Sequence, residues 1–411
     1  MNSSQTSYPR NKIKVLLLEN VSDTAIRQLE SSGYTNITKL DKALNEEDLA
    51  EAIKDIHILG IRSKTRITKR VLERAEKLLT IGAFCIGVNQ IDLKAATEKG
   101  IAVFNAPYSN TRSVAELIIG LSVVLIRKIA EKNMAAHQGI WLKDAAGSHE
   151  LRGKTLGIIG YGNIGSQVSI LAEALGMHVI YFDIAQKLPH GNAKQVRELK
   201  ELLAKSHIVT LHVPSDPSTR NLINEQTLKM MRKGSYLLNY SRGDVVDLAA
   251  LKNAIRKGRL AGAALDVFPE EPEKYGDSFK CELQGLPQVI LTPHIGGSTV
   301  EAQDNIGNDV AIKLIKYLEL GTTEGSQTVP AVSLPPQAGT HRILHIHKNV
   351  PGVLSDINTR LSRNGINILG QYLKTNETIG YVILDIDKKM SKEAFELLRQ
   401  VKATIRARMV Y

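Results

Sequence analysis

The sequence predicts an α/β protein of three folding units, two built on parallel sheets and one on a small antiparallel sheet. Three observations carry that reading. Short apolar runs alternate with helical patterns over 14–104 and again over 155–291, the signature of strands crossed over by helices. A G-x-G-x-x-G run, Gly160, Gly162 and Gly165, sits at the joint of one such strand and its helix. After a stretch carrying Pro330, Pro335 and Pro336, the pattern changes to alternating strands and two short helices. At 411 residues the chain is too long for one ordinary core, and about two to four domains are expected.

The first strand is expected over 14–18, followed by a helix over 23–31. Further strands are expected over 56–61, 79–83 and 101–104, separated by helices over 46–54, 68–75 and 93–99. This opening unit has no glycine fingerprint of its own. Asn105-Ala106-Pro107 breaks the alternation, and Ser113-Val114-Ala115-Glu116 reads as a capping box that opens an apolar helix running to about Arg127. That helix is hydrophobic nearly all round, so burial between domains or subunits is expected. The fingerprint strand begins at 155, and strands over 177–182, 207–212, 235–239, 261–268 and 289–291 follow. A helix over 299–320 is expected to return the chain to the first unit. The crossings would be 105–107 and Gly296-Gly297, about which a cleft could close to keep water from the chemistry. Residues 322–339 read as a linker. Strands over 342–347, 367–373, 381–385 and 404–409, with helices ending near Asn364 and over 392–401, complete a ferredoxin-like βαββαβ module.

The fingerprint carries chemistry. Gly160 permits the tight turn, Gly162 removes the side chain that would block phosphates, and Gly165 lets the helix pack on its strand. The helix N-terminus offers unpaired N–H groups and positive dipole to a pyrophosphate. The next strand ends in Asp183, eighteen residues beyond Gly165. A carboxylate there binds a ribose 2′-OH and repels a 2′-phosphate, so NAD is favoured over NADP. Tyr161, Asn163 and Ile164 complete the loop of this Rossmann dinucleotide-binding unit.

Three further pieces make a coherent reaction centre. Asn239-Tyr240-Ser241-Arg242-Gly243 ends a strand with a guanidinium suited to hold a 2-hydroxy-acid carboxylate bidentately and to polarise its carbonyl. Pro293-His294-Ile295 puts an imidazole at a strand end, where it can take a hydroxyl proton as hydride leaves. Glu271 supplies a carboxylate that could orient that imidazole and raise its pKa, and Asp266 either joins the same network or caps a turn.

The fingerprint, the Arg242 motif, Leu265-Asp266-Val267-Phe268-Pro269-Glu270-Glu271-Pro272 and Thr292-Pro293-His294-Ile295-Gly296-Gly297 together resemble the D-isomer-specific 2-hydroxyacid dehydrogenases. The resemblance implies that Arg242 binds substrate, His294 is the acid/base and Glu271 its partner. It also implies cofactor contacts at His212, Pro214, Ser241, Asp266, Gly296 and Gly297, beside the fingerprint and Asp183. Ile61-Arg62-Ser63-Lys64-Thr65, the run 104–116 and Thr404-Ile405-Arg406-Ala407-Arg408 sharpen it. They resemble those members that end in an ACT regulatory domain and oxidise 3-phospho-D-glycerate to 3-phosphohydroxypyruvate with NAD, the first step of phosphorylated serine biosynthesis. On that resemblance Arg62 and Lys64 hold the substrate phosphate, Lys64 standing where an arginine is common and lacking its bidentate fork. Asn110 lies near nicotinamide and substrate, and Trp141 and Lys143 reach a neighbouring subunit's site. His347, Asn349 and Asn367 bind the feedback inhibitor L-serine between paired modules, with the helix start at Gly352 receiving its carboxylate. The implied assembly is a homotetramer. The implied domains are 1–108 and 297–330 for a flavodoxin-like substrate unit into which 109–296, the NAD unit, is inserted, and 337–411 for regulation. Two other readings stay open at this point. One is action on a different D-2-hydroxy acid; the other is an NAD-sensing binding protein like the transcriptional corepressors built on this fold.

Composition excludes other classes. The net charge of +11 is spread among acids, and no helix carries a Lys/Arg stripe interleaved with aromatics, so a small anionic substrate is expected and nucleic acid is not. The longest apolar stretch, 117–126, is too short to span a bilayer. Cys85 and Cys281 cannot form a disulfide framework, and no secretory signal opens the chain, so a cytoplasmic protein without a metal site is expected.

Overall fold

The structure, a computed structural model, describes residues 8–272 and 276–410. The chain forms two compact units, Met1–Ser109 with Gln303–Tyr411, and Asn110–Ala302. In the first unit, β1 (Val15–Leu17), β2 (Ile37–Lys39), β3 (Ile58–Ile61), β4 (Thr80–Ala83) and β5 (Ala102–Asn105) make a parallel sheet in the order β2-β1-β3-β4-β5. That is the flavodoxin-like order expected. β1, β3, β4 and β5 are buried throughout, as in a sheet covered on both faces. The edge strand β2 was not visible in sequence. Its three residues are part-exposed, and Ile37-Thr38-Lys39 is too short to show a period.

The stretch 322–339 is not a free linker. The Val103 N–H donates to Thr328 Oγ1 (3.1 Å), Thr328 Oγ1 donates to the Ile101 carbonyl (2.7 Å), and the Gln327 N–H donates to the Val103 carbonyl (2.8 Å). The segment therefore covers the open edge of β5, satisfying backbone groups that would otherwise template pairing.

β13 (Thr340–Lys348), β14 (Ile368–Thr375), β15 (Ile379–Asp387) and β16 (Thr404–Val410) form an antiparallel sheet, β14-β15-β13-β16, the ferredoxin-like order. Alternation of side chains sorts its two faces. Ile343, Val382 and Leu384 pack with Ile357 and Leu361 of helix Val353–Arg363 and Leu398 of helix Ser391–Arg399. Leu344, Ile346, Tyr381 and Ile383 join the core that holds Leu314, Tyr317 and Leu318 of helix Val300–Leu320. At that junction the buried Arg342 uses all five N–H donors: two on Asp385 (2.7 Å each) and three on the carbonyls of Leu320, Leu334 and Pro335. Both charged side chains are only 2% exposed.

The second unit is a seven-stranded parallel sheet of β6 (Thr155–Ile159), β7 (His178–Phe182), β8 (Lys194–Gln195), β9 (Ile208–Leu211), β10 (Ser235–Asn239), β11 (Leu260–Leu265) and β12 (Val289–Leu291). Its order, β12-β11-β10-β9-β6-β7-β8, reverses direction between β6 and β9, the switch point of a Rossmann fold. Helix Thr111–Ile126 packs beside helix Asn163–Ala174 through Val114, Ile118, Leu121 and Leu125. It starts two residues before the expected capping box. Asn110 is its N-cap, and Ser113 is not a cap; its hydroxyl hydrogen-bonds Thr299 Oγ1 (2.8 Å). Among the described residues no helix is long and apolar enough to cross a membrane, and no cluster of His, Cys, Asp and Glu could hold a metal ion.

Candidate active site

The carboxyl ends of six strands of the second unit carry the candidate residues. After β6, Gly160 turns with φ +92°, and a Cβ on it would strike the His212 carbonyl that follows β9. A Cβ on Gly165 would strike the Gly160 carbonyl and lie 3.0 Å from Ile158 Cγ2. Packing alone therefore requires these two glycines. Gly162 differs: a Cβ there would meet no protein atom within 4 Å, and it stands as N-cap to helix Asn163–Ala174 without a side-chain cap. Its backbone is open to a group brought against the helix N-terminus, which fits a dinucleotide pyrophosphate. Asp183, at the end of β7, accepts the Tyr161 N–H on Oδ2 (2.8 Å) and the Ala185 N–H on Oδ1 (2.9 Å). Its carboxylate is thereby fixed at the loop, as a ribose diol needs. His212 donates or accepts at Thr210 Oγ1 (3.0 Å), and burial lowers its pKa to about 3, so the ring is neutral; Pro214 beyond it is exposed.

Arg242 leaves β10 on a turn clamped by Asn239, whose side chain accepts from the Ser241 hydroxyl (2.9 Å) and N–H (3.2 Å) and donates to the Arg242 carbonyl (2.9 Å). The guanidinium is solvent-exposed and spends one N–H on the Ser241 carbonyl (2.7 Å). Gly243 runs against the backbone of Phe268 and Pro269 with no room for a Cβ, bringing the Arg242 turn onto the Glu271 loop. Neither Asn239 nor Gly243 was singled out from sequence, although both flank the arginine in the N-Y-S-R-G run.

His294 follows β12 with φ +52°, a conformation that costs a non-glycine residue energy and persists only when its surroundings impose it. Asp266, 2% exposed, imposes it. Its Oδ1 accepts from Thr292 Oγ1 (2.6 Å) and the Ile295 N–H (2.9 Å), its Oδ2 from the Gly296 N–H (2.7 Å), and its carbonyl from the His294 N–H (2.8 Å). Of the two roles left open, Asp266 holds the turn and makes no bond to the ring. Imidazole Nδ1 meets Glu271 Oε2 at 2.7 Å, while Glu271 Oε1 accepts the Phe268 N–H (3.0 Å). The hydrogen bond to Glu271 raises the His294 pKa against the opposing effect of burial, and the charges of Glu271 and Asp266 add to the rise. Burial pushes Glu271 upward, but the bonds from His294 and Phe268, with the charges of His294 and Arg242, bring its pKa down overall. The His294 side chain is 57% exposed, leaving Nε2 accessible to a substrate hydroxyl. A Cβ on Gly297 would collide with the Asn110 amide, so that glycine admits Asn110 beside the histidine turn.

In the first unit, Arg62 and Lys64 lie on the loop after β3. Glu19 organises that loop: its buried carboxylate accepts the N–H groups of Arg62 (3.1 Å), Lys64 (2.9 Å) and Thr65 (2.8 Å). The sequence reading missed Glu19, because a Glu-Asn pair after a strand carries no motif and the left-handed conformation of both residues (φ +63° and +50°) shows only in the structure. Trp141 is 83% exposed, and Lys143 is exposed too. In the C-terminal module, His347 is buried against Gly380, and burial lowers its pKa. Asn349 donates to the Asn376 carbonyl (2.7 Å), and Gly352 begins helix Val353–Arg363 with φ +88° and no side-chain cap. These three share one end of the sheet. Asn367 does not join them: it precedes Ile368, which pairs with Ile386, whereas His347 pairs with Gly380 at the far end of β15.

A switch-point nucleotide site beside an Arg, His and Glu set defines an NAD-dependent dehydrogenase acting on a hydroxy acid. The chain belongs to the D-isomer-specific 2-hydroxyacid dehydrogenases. Residues 119–296 match the family described as D-isomer specific 2-hydroxyacid dehydrogenase, NAD binding domain, and residues 343–406 match an ACT domain like that of the AHAS small subunit. The chain is similar to D-3-phosphoglycerate dehydrogenase of Haemophilus influenzae, 50% identical over 100% of both chains. It is also similar to D-3-phosphoglycerate dehydrogenase of Escherichia coli K12, 51% identical over 99% of this chain and 100% of the relative. Among solved structures, the NAD-complexed D-isomer specific 2-hydroxyacid dehydrogenase of Lactobacillus delbrueckii ssp. bulgaricus matches with a TM-score of 0.65 and 27% identity, over 74% of this chain and 96% of that one.

Proposed function

We propose that this protein oxidises 3-phospho-D-glycerate to 3-phosphohydroxypyruvate with NAD and is restrained by L-serine at its ACT module. The His294–Glu271 pair, in a chain half identical end to end to D-3-phosphoglycerate dehydrogenases, is the observation that carries this. Bound NAD supplies the acceptor for the hydride that leaves substrate C2. His294 Nε2 takes the hydroxyl proton as the C–O bond becomes a carbonyl, and Glu271 stabilises the imidazolium formed. Arg242 holds the carboxylate and the developing carbonyl, and Arg62 and Lys64 take the phosphate. In the reverse direction the same imidazolium returns its proton.

The separation of Asn367 from His347 supports a serine site shared by two modules, since no single chain offers both at one place. The exposed Trp141 supports a reading in which it and Lys143 reach a neighbouring subunit of a homotetramer. Two free cysteines fit a cytoplasmic enzyme. The test is NADH oxidation with 3-phosphohydroxypyruvate and with unphosphorylated hydroxypyruvate, each with and without millimolar L-serine. Two charge-assisted phosphate contacts at about 1.5 kcal/mol each should favour the phosphorylated substrate roughly a hundredfold in kcat/KM. Serine should suppress the turnover. No turnover while NADH still binds would overturn the proposal, and turnover indifferent to serine would remove its regulatory part.

A further inference from the structure

β16 closes the ACT sheet within the first unit, and a cavity of about 360 Å³ lies between it and the residues leading into β4. Four cationic side chains line it, Arg10, Lys77, Arg406 and Arg408, against the acidic Glu76 and Glu319. Two of the four are answered. Arg10 Nη2 pairs with Glu319 (3.1 Å), and Lys77 Nζ pairs with Asp55 (2.5 Å). The two on β16 are not: among the described residues neither Arg406 nor Arg408 has a carboxylate partner. Arg406 gives one N–H to the Leu78 carbonyl. Arg408 gives one to the Tyr317 carbonyl (2.6 Å) and lies over the Tyr317 ring, 4.8 Å from its centroid. Burial lowers the pKa of Arg406, as expected of a desolvated cation without a counter-charge.

The rest of the wall is apolar or aromatic, with Leu79 and Leu318 on one side and Tyr8 stacked on His57 (5.5 Å between rings). A volume of that size suits a small metabolite. We infer that this cavity binds a small organic anion, its carboxylate or phosphate head on Arg406 and Arg408 and its apolar body against the leucines and aromatic rings. Its lining includes none of Arg242, Glu271 and His294 and none of His347, Asn349 and Gly352, and no step of the dehydrogenation uses it.

Isothermal titration of the full-length protein with benzoate and with phenyl phosphate tests this. The titrations are run in an Arg242→Ala background, so that the catalytic anion anchor does not contribute heat. Both probes should bind, and the tighter of the two identifies the preferred head group. Arg406→Gln and Arg408→Gln should each weaken binding at least about tenfold, the loss of one charge-assisted contact. Glu76→Gln, an exposed change that removes a negative charge from the lining, should tighten it severalfold. Arg408→Gln leaves the Leu78 bond of Arg406 in place, and circular dichroism checks that each variant is folded. Absence of binding at 10 mM (about the ceiling for a metabolite site), or affinities that the arginine variants leave unchanged, would overturn the inference.

Discussion

Asp266→Asn is the substitution that most sharply separates holding the histidine from touching the chemistry. The carboxylate accepts three hydrogen bonds across the Thr292–Gly296 turn at 2.6, 2.9 and 2.7 Å, and water is excluded from it. Asparagine keeps one acceptor oxygen. With that oxygen toward Thr292 and Ile295, its NH₂ faces the Gly296 N–H, donor against donor; flipped, two donors are opposed. The gentler orientation loses one charge-assisted bond and leaves a buried N–H unmet, about 2–3 kcal/mol. The turn can avoid that cost by relaxing His294 out of its φ of +52°. If the loss falls wholly on the transition state, kcat/KM drops roughly 30- to 150-fold. The assay is steady-state NADH oxidation beside NADH titration by fluorescence, with melting temperature recorded. Asp266 acts through His294 if kcat/KM falls while NADH affinity holds. Activity within twofold of wild type would refute the clamp, and a loss explained by weaker NADH binding would assign Asp266 to the cofactor instead.

The pH dependence has a definite sign. Oxidation needs neutral His294, so its rate should rise with pH through a midpoint above 6.5, while reduction falls; Glu271→Gln should move that midpoint to lower pH in a pH–rate profile. His294, with its raised pKa, contributes stability that is complete below 6.5 and lost as pH rises through its folded value. Glu271, lowered, contributes above 4.5 and loses it as pH falls through its folded value, so denaturant titrations should find the pair's contribution greatest between those two pH values. Asp183→Ala removes the acceptor of two loop N–H groups and the proposed ribose contact; the KM for NAD should rise about tenfold and discrimination against NADP should shrink, measured with both cofactors. Arg342→Met strands the buried Asp385 carboxylate and three carbonyls, a loss of about 3–5 kcal/mol seen as a fall in Tm of roughly 10 °C, and adding Asp385→Leu should recover part of it.

What sequence showed of this molecule was what local chemistry dictates. The fingerprint was legible because Gly165 is demanded by the carbonyl of Gly160 within the same motif and Gly160 by the positive φ of its own turn, although the clash that also bars a Cβ at Gly160 comes from His212. The parallel-sheet alternation was legible because buried strands must be continuously apolar. The residues that hold the site in place were not. Glu19 acts by bonding backbone N–H groups of a loop 43 residues on, and Asn239 by clamping its own turn; a lone Glu or Asn at a strand end looks the same whether or not it holds a loop. Ser113-Val114-Ala115-Glu116 has the spacing of a capping box, yet packing of the apolar face carries the helix back to Thr111 and leaves Ser113 to bond Thr299, 186 residues away. The proline-rich stretch looked like a linker because its hydrogen bonds, some internal (Thr323 with Pro330 and Val332) and some to β5, follow neither a helical nor a strand period. The likeness of Asn367 to a ligand-binding residue says nothing of its distance from His347, which the strand register fixes.

Deuterium transfer tests the central claim most directly. 3-Phospho-D-glycerate carrying deuterium at C2 is incubated with NAD and the protein, and the reduced cofactor is read at nicotinamide C4 by proton NMR. Deuterium at one of the two C4 positions, undiluted by solvent hydrogen and abolished with turnover in His294→Gln, is the expected result. Reduced cofactor carrying only solvent hydrogen, or no reduction by a protein that still binds NAD, would contradict it.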